Sequence, residues 1–369
     1  MRILHVTTAL DVGGAEMMIL KLASHARFTN SVLALLNWGP MGELFQEQRI
    51  GVTALGLPKP GAVIGMPREV HRVFRAFRPD IIQGWLYHGN LLASLLGPIY
   101  GIPVLWNIRQ LVHAPEIEKR HTRATLRMLT WLHRVPRRII YNSEIARAQH
   151  EAIGLPHDKG VVIPNGFDTE KFRPDPAARA AVRQELGISE SAILVGQIGR
   201  DHVMKAHDVF LGAAKIVADK SRQTYFVIAG RGVDQNQRLF NLRAQLGLVD
   251  KVRLLGHRAD VERLTAALDI ACNSSFTEAF SNAIGEALAC GLPAVVTEVG
   301  DSVRIIGAAG RHVPPNNATA LAAAILEIAG SDRERARLGC EARKRAVALY
   351  SIGPICDSYE ILYRHVVPE

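Results

Sequence analysis

Two glutamates eight residues apart, Glu278 and Glu286, bracket the segment EAFSNAIGE. Ser274, Ser275 and Thr277 lie just before it, and Gly291 and Pro293 just after. The spacing therefore predicts a helix from about Phe280 to Cys290 with capping residues at both ends. Glu278 then falls in the loop before the helix, and Glu286 about two turns into it. The backbone amides near Phe280, Ser281 and Asn282 would face an anion at the helix N-terminus. One carboxylate suits the hydroxyls of a sugar and the other those of a ribose. The plain alternative is one surface glutamate and one capping glutamate.

Two further clusters follow strand-like runs. In Gly199-Arg-Asp-His-Val-Met-Lys-Ala-His207, Arg200 and Lys205 share a loop at a strand's carboxyl end. Two cations there would neutralise a diphosphate leaving group; two solvated surface cations are the alternative. Asp11-Val-Gly-Gly-Ala-Glu16 follows the first strand directly. Adjacent Gly13 and Gly14 let the backbone approach a ligand at a helix start, where Glu16 suits the helix dipole. The segment is not G-x-G-x-x-G, and a tight strand–helix turn without a ligand accounts for it as well.

These clusters need strands to carry them. Strand-like runs fall at 2–8, 31–36, 51–55, 81–83, 103–108 and 138–142, with helical patterns between them. A turn-rich stretch, Pro164 to Pro176, reads as an interdomain linker. The alternation then restarts at 192–198, 225–229, 252–255, 270–272, 294–296 and 311–313. Strand–helix alternation indicates parallel sheets. The fold class is therefore α/β, with two Rossmann-like domains in series: 1–165, 166–353, and a terminal helix over 354–369.

Composition agrees. A chain of 369 residues, 48% apolar and 21% charged, has material for two cores and excludes disorder, collagen and coiled coil as the main architecture. There is no window of 18 uninterrupted apolar residues. The N-terminus reads as strand and turn, not as a signal peptide. Cys272, Cys290, Cys340 and Cys356 match neither a disulfide framework nor a zinc pattern, which fits a reducing, cytoplasmic setting.

The net charge of +9 is unevenly spread. Residues 1–165 hold 19 basic and 11 acidic residues, whereas 166–369 hold 25 and 24. Much of the excess lies in Arg68–Arg78 and Lys119–Arg138. In the first, Val70, Val73, Phe74 and Phe77 form an apolar stripe opposite arginines. In the second, Leu126, Leu129, Trp131 and Leu132 are mixed with six arginines. A basic amphipathic helix fits an anionic membrane surface, and equally an ordinary surface helix with a solvated face. No zinc-finger spacing, basic-aromatic ribonucleoprotein motif or repeat points to nucleic acid.

The three motifs, in this order, resemble the GT-B glycosyltransferases of family 4, the large retaining family. The resemblance covers essentially the whole chain. It is carried most by the E-x7-E segment with its continuation ACGLPAVVTEVGDS, and also by Asn142-Ser143-Glu144, Pro164–Asp168 and Leu255-Gly256-His257. WLYHGN at 85–90 and WNIRQ at 106–110 are similar to a branch that builds bacterial surface polysaccharides. The resemblance implies two Rossmann-like domains facing across a cleft, the terminal helix packing back on the first. It implies a donor site of Gly14, Arg200, Lys205, His257, Arg258, Glu278, Ala279, Phe280, Ser281, Asn282 and Glu286. Of these, Arg200 and Lys205 hold the diphosphate, Glu286 the ribose, and Glu278 the transferred sugar beside the reacting carbon. Base contacts come around His257 and Arg258, mostly from backbone. On the acceptor side it implies Gly13, His88, Arg109 and His113.

Many members carry a histidine at the end of the fourth strand. Here the alignment places Arg109 there, with His113 four residues on. An arginine is no general base near neutral pH, but it stabilises departing phosphate charge. Ser281 and Ala279 also depart from the family's usual residues, which bears on sugar fit. The implied reaction is retaining front-face displacement, dominated by positioning and charge stabilisation. No Asp-x-Asp occurs, so no metal and no cofactor are expected beyond a nucleotide-sugar donor, of which a UDP-sugar is favoured. The expected partners are a saccharide acceptor, polyprenyl-diphosphate-linked, and the inner face of the cytoplasmic membrane, met by the basic first domain. The rival readings are a GT-B epimerase, a phosphorylase, a soluble transferase with a small acceptor, a non-catalytic binding protein and an NAD oxidoreductase.

Overall fold

A computed structural model describes residues 1–25, 27–57, 67–112 and 120–367. The chain forms two compact units, residues 1–166 with 352–369, and residues 167–351.

The first unit is a seven-stranded sheet in the order β3-β2-β1-β4-β5-β6-β7. The strands are β1 (Arg2–Thr7), β2 (Thr29–Ala34), β3 (Gly51–Ala54), β4 (Ile81–Trp85), β5 (Val104–Ile108), β6 (Arg138–Tyr141) and β7 (Gly160–Val162). Every pair in it is parallel. Strands β4 and β5 are buried along their whole length, as parallel strands covered on both faces must be.

The second unit is a six-stranded sheet in the order β10-β9-β8-β11-β12-β13. Its strands are β8 (Ile193–Ile198), β9 (Thr224–Ala229), β10 (Val252–Leu255), β11 (Ile270–Asn273), β12 (Ala294–Thr297) and β13 (Gly310–Val313), again all parallel. Both sheets have the doubly wound arrangement, in which strand order reverses between the first and fourth strands. A ligand crevice opens there at the carboxyl ends. In the first unit this switch point lies between β1 and β4, and in the second between β8 and β11.

The terminal helix, Ile352–Val366, starts two residues before Pro354 and belongs to the first unit. Ile355, Cys356, Tyr359 and Tyr363 are buried in a core with Ile3, Trp85 and Leu105. The turn-rich stretch after Pro164 is packed rather than free. Phe167 is fully buried, its amide bonds to Tyr350 O, and it stacks near Phe280 and Tyr350.

Of the two basic segments, the helix Pro67–Phe77 buries Val70 and Phe74 and exposes Arg68, Arg72 and Arg75. The helix Arg120–Trp131 buries Leu129 and leaves Trp131 exposed, while Lys119 lies outside the described residues. Among the described residues no helix is long and apolar enough to cross a membrane.

Candidate functional site

In the second unit, two loops meet at the switch point. The loop after β8 carries Arg200 and Lys205, and the loop after β11 carries Glu278. Gln197, at the end of β8, ties them together. Its side-chain nitrogen donates to Lys205 O at 2.8 Å, and its oxygen accepts from the Ser274 hydroxyl at 2.8 Å. Ser274 also reaches Ala206 O at 2.9 Å, and Phe276 N donates to Met204 O at 2.8 Å. On this frame Lys205 Nζ forms an ion pair with Glu278 Oε1, which also accepts from the Ser275 hydroxyl at 3.2 Å. Arg200 is exposed, and among the described residues it makes no ion pair.

The helix that follows runs Asn282–Ala289, shorter at both ends than the sequence pattern predicts. Its N-cap is Ser281, not one of the earlier serines. The Ser281 hydroxyl makes no capping bond but accepts from Asn273 Nδ2 at 2.9 Å. The first turn therefore has no side-chain cap and retains the partial positive charge that attracts an anion. Glu286 is half-buried in the second turn. Ala279, Phe280 and Ser281 are buried, and the Phe280 ring belongs to the aromatic core with Phe167 and Tyr350. What these three residues can offer a ligand is chiefly backbone. Gly300, at φ 51°, lies against Glu278 O so closely that a Cβ would collide with it. This keeps the Glu278 loop in place.

His257 is exposed in the loop after β10. The Arg258 guanidinium is already occupied. It bonds Asp260 at 2.9 Å through both Nε and Nη2, and Glu185 at 2.5 Å, and these carboxylates push its pKa up. Its side chain is structural, which leaves only its backbone for a base.

In the first unit, Gly13 and Gly14 follow β1 and open the helix Gly14–His25. A Cβ at Gly13 would run into the Glu16 carboxylate, which folds back over the turn. His88 follows β4, on the other side of the switch point. It is half-buried, stands 5.6 Å from the His121 ring, and has its pKa lowered by burial and then by that neighbour. His113 lies outside the described residues.

Arg109, just past β5, is clamped from several sides. Nη1 donates to Asn107 Oδ1 and to the Tyr359 hydroxyl, both at 3.0 Å, and Nη2 donates to Asn165 Oδ1. The guanidinium stands 5.4 Å from the Trp85 ring centre. These partners are amides, a phenol and an indole, so its charge is oriented but not neutralised. Among the described residues no carboxylate pairs with it. Such a group suits an anion.

Backbone strain marks both switch points. Leu86 (φ 58°) follows β4, and Ala206 (φ 48°) adjoins Lys205. Non-glycine residues held in the left-handed region cluster where function over-determines the backbone. Among the described residues no group of three His, Cys, Asp or Glu side chains is arranged to hold a metal ion.

Residues 12–171 match the family described as Glycosyltransferase Family 4, and residues 191–331 match Glycosyl transferases group 1. The chain belongs to these glycosyltransferases. A D-inositol 3-phosphate glycosyltransferase of Geodermatophilus obscurus is 33% identical over 44% of this chain and 38% of its own length. The UDP-Gal:alpha-D-GlcNAc-diphosphoundecaprenol alpha-1,3-galactosyltransferase of Escherichia coli is 24% identical over 63% of this chain and 61% of its own. The match thus spans less than two thirds of these curated relatives. Anabaena HepE, solved in complex with UDP, superimposes with a TM-score of 0.89 at 23% identity, over 99% of this chain and 100% of that one. The architecture is GT-B.

Within this glycosyltransferase frame, Asn165, Tyr359 and Gln197 are the residues that the motif reading missed. Asn165 lay in the PNGFD motif, but nothing in its spacing pointed to Arg109. Tyr359 lies 250 residues from the arginine it holds.

Proposed function

We propose that the protein is a retaining, metal-independent glycosyltransferase. It moves a hexosyl or N-acetylhexosaminyl group from a UDP-sugar to a saccharide acceptor, polyprenyl-diphosphate-linked, in glycan assembly at an anionic membrane surface. The observation that carries the reading is the Lys205–Glu278 pair at the β8/β11 switch point, beside a helix N-terminus without a side-chain cap. Lys205, Arg200 and the amides of that turn take the diphosphate. Glu278 takes sugar hydroxyls and Glu286 ribose hydroxyls. Gly14 adds its backbone to the donor site, and Gly13, His88, Arg109 and His113 serve the acceptor side, with Arg109 bearing on phosphate charge. The acceptor hydroxyl oxygen bonds the anomeric carbon as the bond to the diphosphate oxygen breaks. The hydroxyl proton passes to the departing diphosphate. The solved UDP complexes of HepE and the UDP-Gal donor named for the Escherichia coli relative favour uridine as the base.

The test is a thermal-shift and calorimetric comparison of UDP, GDP, ADP and TDP with their sugar conjugates, with EDTA present. Stabilisation by one nucleotide diphosphate under chelation is the expected result. Stabilisation that appears only when a divalent ion is added overturns the metal-independent reading. No shift with any nucleotide overturns the assigned donor site.

A further inference from the structure

His207 opens the helix His207–Lys220 just after the loop that carries Arg200 and Lys205, and it is 2% exposed. Both of its ring nitrogens are engaged. Gln197 Nε2 stands 2.9 Å from Nδ1, and Arg200 O stands 3.2 Å from Nε2. The Gln197 oxygen already accepts from the Ser274 hydroxyl and, at 3.3 Å, from Ser274 N, so its amide nitrogen is the group that faces the ring. Of the two protons on that nitrogen, one goes to Lys205 O at 2.8 Å and the other to His207 Nδ1. Nδ1 is therefore an acceptor, and Nε2 carries the proton that Arg200 O receives. Burial holds the ring's pKa below the ordinary histidine value, against the bond to Arg200 O and the charge of Asp201. The neutral ring that this network needs is thus the favoured form.

The effect of these bonds falls on the two cations. Arg200 and Lys205 stand at the two ends of a short loop that finishes in a 3-10 turn, Val203–Lys205, and in the left-handed Ala206. One imidazole bonds the carbonyl of the first cation directly and, through Gln197, braces the carbonyl of the second. The Lys205 stem also folds back over Gly199, 3.3 Å from where a Cβ would stand, so the loop is closed on itself. The helix makes no use of the ring. Its first turn is fastened by Val209 N and Phe210 N, which donate to Ala206 O at 3.0 and 3.2 Å. Two cations that share one diphosphate must keep their spacing, and a loop that fluctuates would lose it.

We propose that His207 is a positioning residue for the donor diphosphate: its imidazole fixes the backbone at Arg200 and Lys205 so that both cations meet the same diphosphate, which the ring itself does not touch. The inference rests on the donor-site reading above and adds what sets the spacing of its cations.

The experiment is UDP calorimetry on the full chain, at a temperature where every variant is folded, with melting midpoints recorded alongside. His207→Gln offers an amide nitrogen near the place of Nε2, whereas His207→Asn is too short to reach Arg200 O. His207→Gln should bind UDP within about threefold of wild type and His207→Asn about tenfold or more weakly, since a misplacement of about 1 Å costs up to about a hundredfold. Gln197→Met removes the donor shared by Lys205 O and His207 Nδ1, and its loss should match that of His207→Asn, so the outcome does not hang on one variant folding. Arg200→Ala should weaken UDP binding by itself. In that background His207→Asn should cost about threefold or less, because the cation it positions is gone.

Wild-type affinity in His207→Asn and Gln197→Met, with Arg200→Ala weakened, would overturn the positioning role and leave the donor site standing. Equal losses from His207→Asn with and without Arg200 would make the histidine a residue of general stability and would overturn it too. A His207→Gln variant as weak as His207→Asn would show that the bond to Arg200 O is not what matters. If Arg200→Ala itself left UDP affinity unchanged, the place of Arg200 in the donor site would fall, and this inference with it.

Discussion

Lys205 and Glu278, 73 residues apart in the chain, neutralise each other across the β8/β11 switch point. On the proposed roles, the lysine that takes the diphosphate is paired with a carboxylate, with which that diphosphate must compete. The pair therefore predicts a split between binding and turnover. Glu278→Gln removes the competing charge, so the variant should bind UDP more tightly than wild type by calorimetry. It should also lose turnover by about a hundred- to a thousandfold, as expected when a group at the reacting centre is lost. Lys205→Ala should weaken UDP and turnover together. If Glu278→Gln weakened UDP binding as much as Lys205→Ala does, the carboxylate would belong to the phosphate site itself, against the roles assigned here.

Arg109 owes its orientation to neutral partners, and this separates charge from geometry. Arg109→Lys keeps the charge but loses the fork that reaches Asn107, Asn165 and Tyr359 together. Turnover should fall about ten- to a hundredfold, with UDP stabilisation reduced far less because the charge is kept. Tyr359→Phe removes an acceptor from both Arg109 and Asn107, at 3.0 Å each. It should cost about 1–3 kcal/mol of stability in denaturant titrations as well as part of the activity. Wild-type turnover in Arg109→Lys would show that only the charge matters.

The motifs were legible one at a time because each is local. Gly13-Gly14, Arg200 with Lys205, and Glu278 with Glu286 all stand next to a strand or helix end that hydropathy reveals. Their joining was not legible. Nothing in the spacing says that Lys205 closes on Glu278, because that contact depends on how β8 and β11 lie side by side. Ser274, Ser275 and Thr277 read as the caps, yet the N-cap is Ser281, whose hydroxyl turns away to Asn273, a residue on β11. Phe167 sits in a stretch whose turn residues predict a linker, and turn propensity carries no information about the aromatic pocket that buries it. Arg258 is expected beside the base mostly through its backbone, and nothing in its spacing shows that Glu185, 73 residues before it, engages its side chain.

The first unit carries two histidines that burial keeps neutral, and they make its stability fall with acid. His5 Nε2 donates to Asn30 Oδ1 at 3.1 Å, and its Nδ1 accepts from the Trp85 indole at 3.1 Å. A proton on Nδ1 would face another N–H, and burial lowers the pKa from 6.5 to about 4. His150, between Tyr87 and Ala146 O, is also lowered to about 4. A depressed folded-state value means that the unfolded chain takes up protons first. The stabilisation is complete above pH 6.5 and is lost as pH falls toward 4. Each histidine should contribute up to about 3 kcal/mol to that loss. Denaturant midpoints followed through the buried Trp85 should decline across this window, and His5→Gln should decline less steeply. Identical slopes would mean that His5 is not a source of the acid sensitivity.

The second unit holds a buried charge with no part in the proposed chemistry. Arg183 is fully buried and donates to Ala267 O at 3.1 Å, Ser189 O at 2.8 Å, Ala192 O at 2.9 Å and the Asp269 carboxylate. Asp269 also accepts from Leu194 N at 2.7 Å, which fixes the start of β8, the strand that leads into the Lys205 loop. Removing one partner of such a pair leaves the other buried and uncompensated, which costs far more than the intact pair contributes. Asp269→Asn should therefore lose about 3–5 kcal/mol of stability. UDP binding should survive at temperatures where the variant remains folded, because Asp269 is at the amino end of β11 and the donor loops are at the carboxyl ends. If Asp269→Asn lost UDP binding without losing stability, β8 would be positioned by the ligand loops rather than by this buried pair.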